Sequence, residues 1–176
     1  MVSALEFSRP VRVDTLGSEP RSQRIEADEG ERAALAKRFD LPGIGRLAAE
    51  VLQARDGLDV TAEGRIEGEV TQSCVATGVP VEARIDAPFR LVFRTPPGEG
   101  RPEEEIELSQ SELDVVFYEG GAIDLGEAAA ETLALALDPY PRAPDADQAL
   151  KAAGVKSEAE AGPFGALAGL RDKLKK

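Results

Sequence analysis

The sequence predicts an α+β fold: a twisted antiparallel β-sheet, open or curled into a partial barrel, packed against one long helix and accompanied by a second, short helix. Three observations carry this. Leu58, Val60, Ala62, Ile66, Val70 and Cys74 fall on every second position, with Gly64 and Gly68 in the same register, while Asp59, Thr61, Glu63, Arg65, Glu67, Glu69, Thr71 and Ser73 lie between them. Such alternation marks a strand with one buried and one wet face. After Thr77-Gly78, a permissive turn, Val79, Val81, Ala83, Ile85, Ala87, Phe89, Leu91 and Phe93 keep the same period, so the two strands form an antiparallel hairpin. Finally, Leu125, Ala128, Ala129, Thr132, Leu133, Ala136 and Leu137 recur at helical spacing, giving one apolar stripe to lay on the sheet.

In chain order, Leu5, Phe7, Val11 and Val13 alternate around Pro10, which suits an edge strand because proline cannot donate to a central ladder. Arg21 to Ala27 fits a short strand. Asp28-Glu29-Gly30-Glu31 reads as a capping box opening a helix to about Phe39, stopped by Leu41-Pro42-Gly43. The stretch from Ile44 to Arg55 suits a helix by Leu47, Ala48, Val51 and Leu52 and a strand by Leu47, Ala49 and Val51. Asp56-Gly57 is a hairpin signal and favours a strand over 46–55. Gly64 and Gly68 are expected to mark a bend or bulge in so long a strand. Pro96 to Gln110 reads as a loop, and Leu113 to Tyr118 as a short strand. Asp124-x-x-Glu127 reads as a second capping box, and the helix it opens, widened by Ala130, Ala134 and Leu135, should be deeply buried until Asp138-Pro139-Tyr140-Pro141 stops it. Residues 1–142 thus form a single α+β domain. Residues 143–161, low in apolar content, read as a flexible linker. Residues 162–176, with Phe164, Leu167, Leu170 and Leu174, read as a short amphipathic helix or tail.

Composition narrows the function classes. The chain has 176 residues, enough for one core, and 33 acidic against 21 basic residues give a net charge of −12. That much acidity repels nucleic acid at long range and attracts basic partners. Between Glu99 and Glu119 eight acidic residues face a single basic one, Arg101. With no histidine, Ser–His and Cys–His nucleophile systems are impossible, and neither a Gly-x-Gly-x-x-Gly nor a phosphate-binding loop is present. A lone cysteine allows no intrachain disulfide. It lies on the apolar face of its strand, the place of a buried structural thiol. No apolar run is long enough for a membrane span, and Met1 to Phe7 lacks the pattern of a signal peptide, so a cytoplasmic protein is expected.

Three motifs carry a family resemblance: Gln72-Ser73-Cys74-Val75-Ala76-Thr77-Gly78-Val79-Pro80-Val81; Gly121-Ala122-Ile123-Asp124-Leu125-Gly126-Glu127, running through Leu133-Ala134-Leu135-Ala136-Leu137 to Pro139-Tyr140-Pro141-Arg142; and Gly162-Pro163-Phe164-Gly165-Ala166-Leu167-Ala168-Gly169-Leu170. In this order and spacing they resemble the YceD family, also called DUF177, bacterial proteins associated with accumulation of 23S ribosomal RNA, with plastid relatives. The resemblance also supports a strand over 46–55. Many members carry Cys-x-x-Cys where this chain has Cys74 and Thr77, and a further late cysteine, which implies a metal site in them. A zinc site needs about four ligands, and this chain lacks both other cysteines, so no zinc, other metal or cofactor is expected.

The resemblance implies a non-enzymatic factor supporting 23S ribosomal RNA accumulation and large-subunit biogenesis, with basic ribosomal proteins or pre-50S particles as partners. Tight direct RNA binding is not expected: Arg84, Arg90 and Arg94 share a strand face, but Glu82 and Asp86 interleave with them. The candidate partner-binding residues are Glu103, Glu104, Glu105 and Glu107 in the acidic strip and Phe164, Leu167 and Leu170 in the terminal segment; no catalytic residue is assigned. The alternatives are an acidic adaptor for a basic partner unrelated to ribosomes and, more remotely, an enzyme with a carboxylate-only site.

Overall fold

The computed structural model describes residues 6–96 and 114–155. Their strands are β1 (Pro10–Arg12), β2 (Arg21–Glu26), β3 (Gly43–Asp56), β4 (Asp59–Ser73), β5 (Pro80–Arg94), β6 (Asp114–Phe117) and β7 (Ala122–Asp124), and their α-helices are α1 (Glu29–Arg38), α2 (Leu125–Ala136) and α3 (Ala146–Ala152). The described residues divide into two compact units, one drawn from 6–72, 82–96 and 114–139, the other from 73–81 and 140–155.

In the larger unit five strands form a sheet in the order β2-β3-β4-β5-β6, and β1 pairs with β7 in a separate two-stranded ladder. The stretch from Ile44 to Arg55 is strand, antiparallel to β2 on one side and β4 on the other. The sheet does not close into a barrel, since β2 and β6 are its two ends. Nor is it wholly antiparallel, because β6 runs parallel to β5. Alternation of side chains is the same in both pairings, so the sequence pattern carried no sign of this.

Burial along β4 follows the expected period: Val60, Ala62, Ile66 and Val70 are buried, and charged residues take the other face. Leu58 is the exception at 71 % exposed. It belongs to the β3–β4 turn, whose Gly57 holds the left-handed φ of 61° that glycine adopts without strain. The register shift in the β3–β4 ladder lies between Ile44 and Arg46, and pairing runs unbroken through Val51↔Gly64 and Leu47↔Gly68. The two glycines therefore mark close approach rather than a bulge, Gly64 to the β3 backbone and Gly68 to Leu133 of α2. A Cβ at Gly64 would stand 2.1 Å from the Glu50 carbonyl oxygen, well inside contact distance.

Helix α2 follows its cap Asp124 and buries Leu125, Ala128, Ala129, Ala130 and Leu133. It is not the long, deeply buried helix expected. It has 12 residues against 10 in α1, and Leu135 is 85 % exposed. At about 1.5 Å per residue it spans about 18 Å, whereas a 15-residue strand such as β5 runs to about 50 Å at 3.4 Å per residue. One such helix cannot cover the strand. Accordingly Ala83, Ile85, Ala87 and Phe89 are only partly buried against the core, while Leu91 and Phe93 are buried.

The capping box at α1 forms as expected: Asp28 Oδ1 accepts from the Glu31 N–H and Glu31 Oε2 from the Asp28 N–H, both at 2.8 Å. At α2 only half of one forms. Asp124 accepts from the N–H groups of Gly126 and Glu127, but Glu127 turns away to a bidentate pair with Arg38. Asp124 instead fastens the N-terminal segment, accepting from the Arg9 N–H at 2.8 Å and the Ser8 hydroxyl. The crossing is tight: a Cβ at Gly126 would lie 2.5 Å from the Phe7 carbonyl oxygen.

In the smaller unit a turn closes on itself through the Gly78 N–H donating to the Cys74 carbonyl at 2.8 Å. Cys74, Ala143 and Ala146 are buried together, with Ala76 and Val81 packed against them. Within the stretch read as a flexible linker, Ala146–Ala152 form α3. Alanines too small to register as an apolar stripe supply its anchor.

Candidate functional site

The seven residues singled out for partner binding, Glu103, Glu104, Glu105, Glu107, Phe164, Leu167 and Leu170, lie outside the described residues. The described end of the acidic strip is β6 with Tyr118 and Glu119. There the structure brings together side chains that the sequence reading left apart. A groove of about 270 Å³ is lined by Phe93 from β5, Val116, Phe117, Tyr118 and Glu119 from β6 and its exit, and Ala128 and Glu131 from α2. Glu127 and Glu131 stand one helical turn apart beside the apolar stripe. That i, i+4 spacing was the available signal, but only the strand pairing places it next to β6.

The three arginines that share the β5 face each have a carboxylate within 4 Å. On the polar face of the sheet Arg94 pairs with Asp59 at 2.5 Å, Arg90 with Glu63 at 3.6 Å and Arg84 with Glu69 at 3.8 Å. Arg65 pairs with Asp86, Arg46 with Glu67 and Arg24 with Glu50. The Arg94 guanidinium holds the Asp59 carboxyl below its ordinary range, and Arg65 does the same to Asp86. The charged side chains of β4, four acids and one arginine, thus meet opposite charges on both neighbouring strands.

Cys74 is 2 % exposed. Its sulfur accepts from the Ala143 N–H at 3.3 Å, and this donor, helped by the Thr77 hydroxyl and the N–H groups of Ala76 and Thr77, draws the thiol down to about 7 against the partial opposition of burial. Thiolates are metal ligands, but a zinc site wants about four. Among the described residues no group of three or more His, Cys, Asp or Glu side chains is placed to hold a metal ion. Cys74 therefore stands, among the described residues, without the further ligands a zinc site wants. Among the described residues no helix is long and apolar enough to cross a membrane.

An acidic α+β protein, most of the basic side chains among its described residues paired with carboxylates, is the class these features define. A family model described as large ribosomal RNA subunit accumulation protein YceD matches residues 62–171, and the chain belongs to that family. No curated protein and no solved structure matches it.

Proposed function

We propose that this protein is a non-enzymatic, cytoplasmic factor for 23S ribosomal RNA accumulation that acts in large-subunit biogenesis by binding basic ribosomal proteins, free or on pre-50S particles. Family membership supports the setting. The single observation that favours protein over bare RNA is the pairing of Arg84, Arg90 and Arg94 with Glu69, Glu63 and Asp59. A molecule with net charge −12 and no free basic stripe on that face approaches phosphate at an electrostatic cost, whereas a basic protein is attracted to it. The acidic strip, with Glu103, Glu104, Glu105 and Glu107, supplies the attraction.

Cosedimentation with pre-50S particles from native lysate tests this reading. Screening shortens from about 10 Å at 0.1 M salt to about 3 Å at 1 M, so association should fall across that range. Replacing the four glutamates with Gln should weaken it at low salt without changing the melting temperature. The reading is lost if association ignores both salt and the substitutions, or if a deletion strain keeps normal 23S ribosomal RNA.

A further inference from the structure

Among the described residues β6 has one strand neighbour, β5. The Tyr118 N–H donates to the Arg94 carbonyl at 3.0 Å. Backbone polar groups alternate in direction along a strand. Val116 therefore shares the β5 side with Tyr118, and Val115 and Phe117 present N–H and C=O outward. This outer edge is also apolar, with Val115 41 % and Phe117 57 % exposed. Lysine, proline or a bulge ordinarily protects such an edge from pairing, and Asp114–Phe117 has neither lysine nor proline. Beside the edge lies the groove, with Phe93, Val116, Tyr118 and Ala128 as apolar lining and Glu119 and Glu131 among its polar residues. Glu127 is claimed by Arg38, but Glu119 and Glu131 are exposed and form no ion pair among the described residues. Asp59, Glu63, Glu67, Glu69 and Asp86 of the polar sheet face, by contrast, are each paired with an arginine.

We infer that the β6 edge and this groove dock an extended, basic segment of a protein partner, which adds to the sheet as a strand, sets an apolar side chain in the groove and brings Lys or Arg to Glu119 and Glu131. Strand addition supplies affinity through the backbone and specificity through alternate side chains. Charge selects the occupant: a second copy pairing here would bring its own Asp114, Glu119 and Glu131 against these, and like charges across an interface oppose docking. The inference rests on the reading that the partner is a basic protein and gives that partner a place and a mode.

The probe is a fluorescein-labelled heptapeptide, Arg-Val-Lys-Phe-Lys-Val-Arg, with a control in which glutamate replaces each basic residue. Anisotropy in about 50 mM salt, where screening is weak, should show binding of the first peptide and not the second. Amide shifts should concentrate in 114–119 and 127–131. Val115→Ala keeps the outward N–H and should bind within about twofold of wild type, whereas Val115→Pro removes it and should bind about tenfold more weakly. Should Val115→Pro fail to fold, the double variant Glu119→Gln with Glu131→Gln decides, with an expected loss of about fivefold. Affinity indifferent to these changes, shifts confined to other surfaces, or a concentration-dependent dimer abolished by Val115→Pro would each overturn the inference. If Val115→Pro and the double variant leave pre-50S association intact while the four strip substitutions reduce it, the docking inference falls and the proposed function stands. If association ignores salt and every substitution, the proposed function itself falls.

Discussion

At the scale of single residues, Cys74 and Asp124 each do more than their places in the pattern imply. The Cys74 thiol is drawn from an ordinary 9.0 to about 7 by the Ala143 N–H and the turn around Thr77. The fold therefore favours the thiolate. Stability from this group is fully present above the unfolded value near 9 and is lost as pH falls through about 7. Thiolate absorbance should titrate with a midpoint near 7, and Cys74→Ala should flatten the change of melting temperature across that window; a midpoint near 9 would mean that the N–H groups do not reach the sulfur. Labelling should stay slow even above pH 8, because the residue is 2 % exposed and reactivity needs access as well as charge. Asp124 serves the N–H groups of Arg9, Gly126 and Glu127 through Oδ1 alone. Asp124→Ala loses a helix cap and two tertiary hydrogen bonds and should cost roughly 2–4 kcal/mol. Asp124→Asn keeps an oxygen acceptor and should cost less than half of that in a denaturant melt. Equal losses would show that charge, not acceptance, holds the segment.

At the scale of elements, the join between α2 and the sheet is made by fit. Leu133 is fully buried, and its Cδ1 lies 3.0 Å from where a Gly68 Cβ would be. Leu133→Ala should cost roughly 2–5 kcal/mol, a large share of the ~5–15 kcal/mol of a typical domain; a melting temperature within a degree of wild type would mean the helix does not face the core. Gly64→Ala should be at least as damaging, since its Cβ meets backbone at 2.1 Å and backbone cannot rotate aside. Much of this level was legible in the sequence. Period-2 alternation located β4 and β5, Asp56-Gly57 resolved β3 as a strand, and Asp28 with Glu31 located the start of α1. What stayed hidden depends on partners distant in sequence. The parallel pairing of β6, the ladder of β1 with β7 and the diversion of Glu127 to Arg38 leave no local trace. Helix α3 was missed because its anchors, Ala143 and Ala146, are too small to form a stripe.

At the scale of the whole molecule, the balance of charge decides what the protein can meet. The sequence displayed the total, −12, and the concentration of acid between Glu99 and Glu119. It also displayed Arg84, Arg90 and Arg94 on one face, but not that β4 neutralises each of them. That requires the register of two strands, as the groove beside β6 requires the packing of α2. The pairing makes a prediction in which function is gained. Asp59→Asn, Glu63→Gln and Glu69→Gln together release Arg94, Arg90 and Arg84. Exposed pairs of this kind contribute about 0.2–1 kcal/mol each, so the triple variant should remain folded. Losing three negative charges takes the net charge from −12 to −9, still acidic but now with three arginines on one face released from their β4 partners. Weak binding to a single-stranded fragment of 23S ribosomal RNA should appear at low salt where the wild type shows none. Each phosphate neutralised on a single strand contributes about −0.7 to the slope of log K against log salt, so three freed arginines set a slope of about −2. If the wild type already binds the fragment as tightly as the variant, the ion pairs are not what keeps this face from RNA, and the preference for a protein partner loses its electrostatic basis.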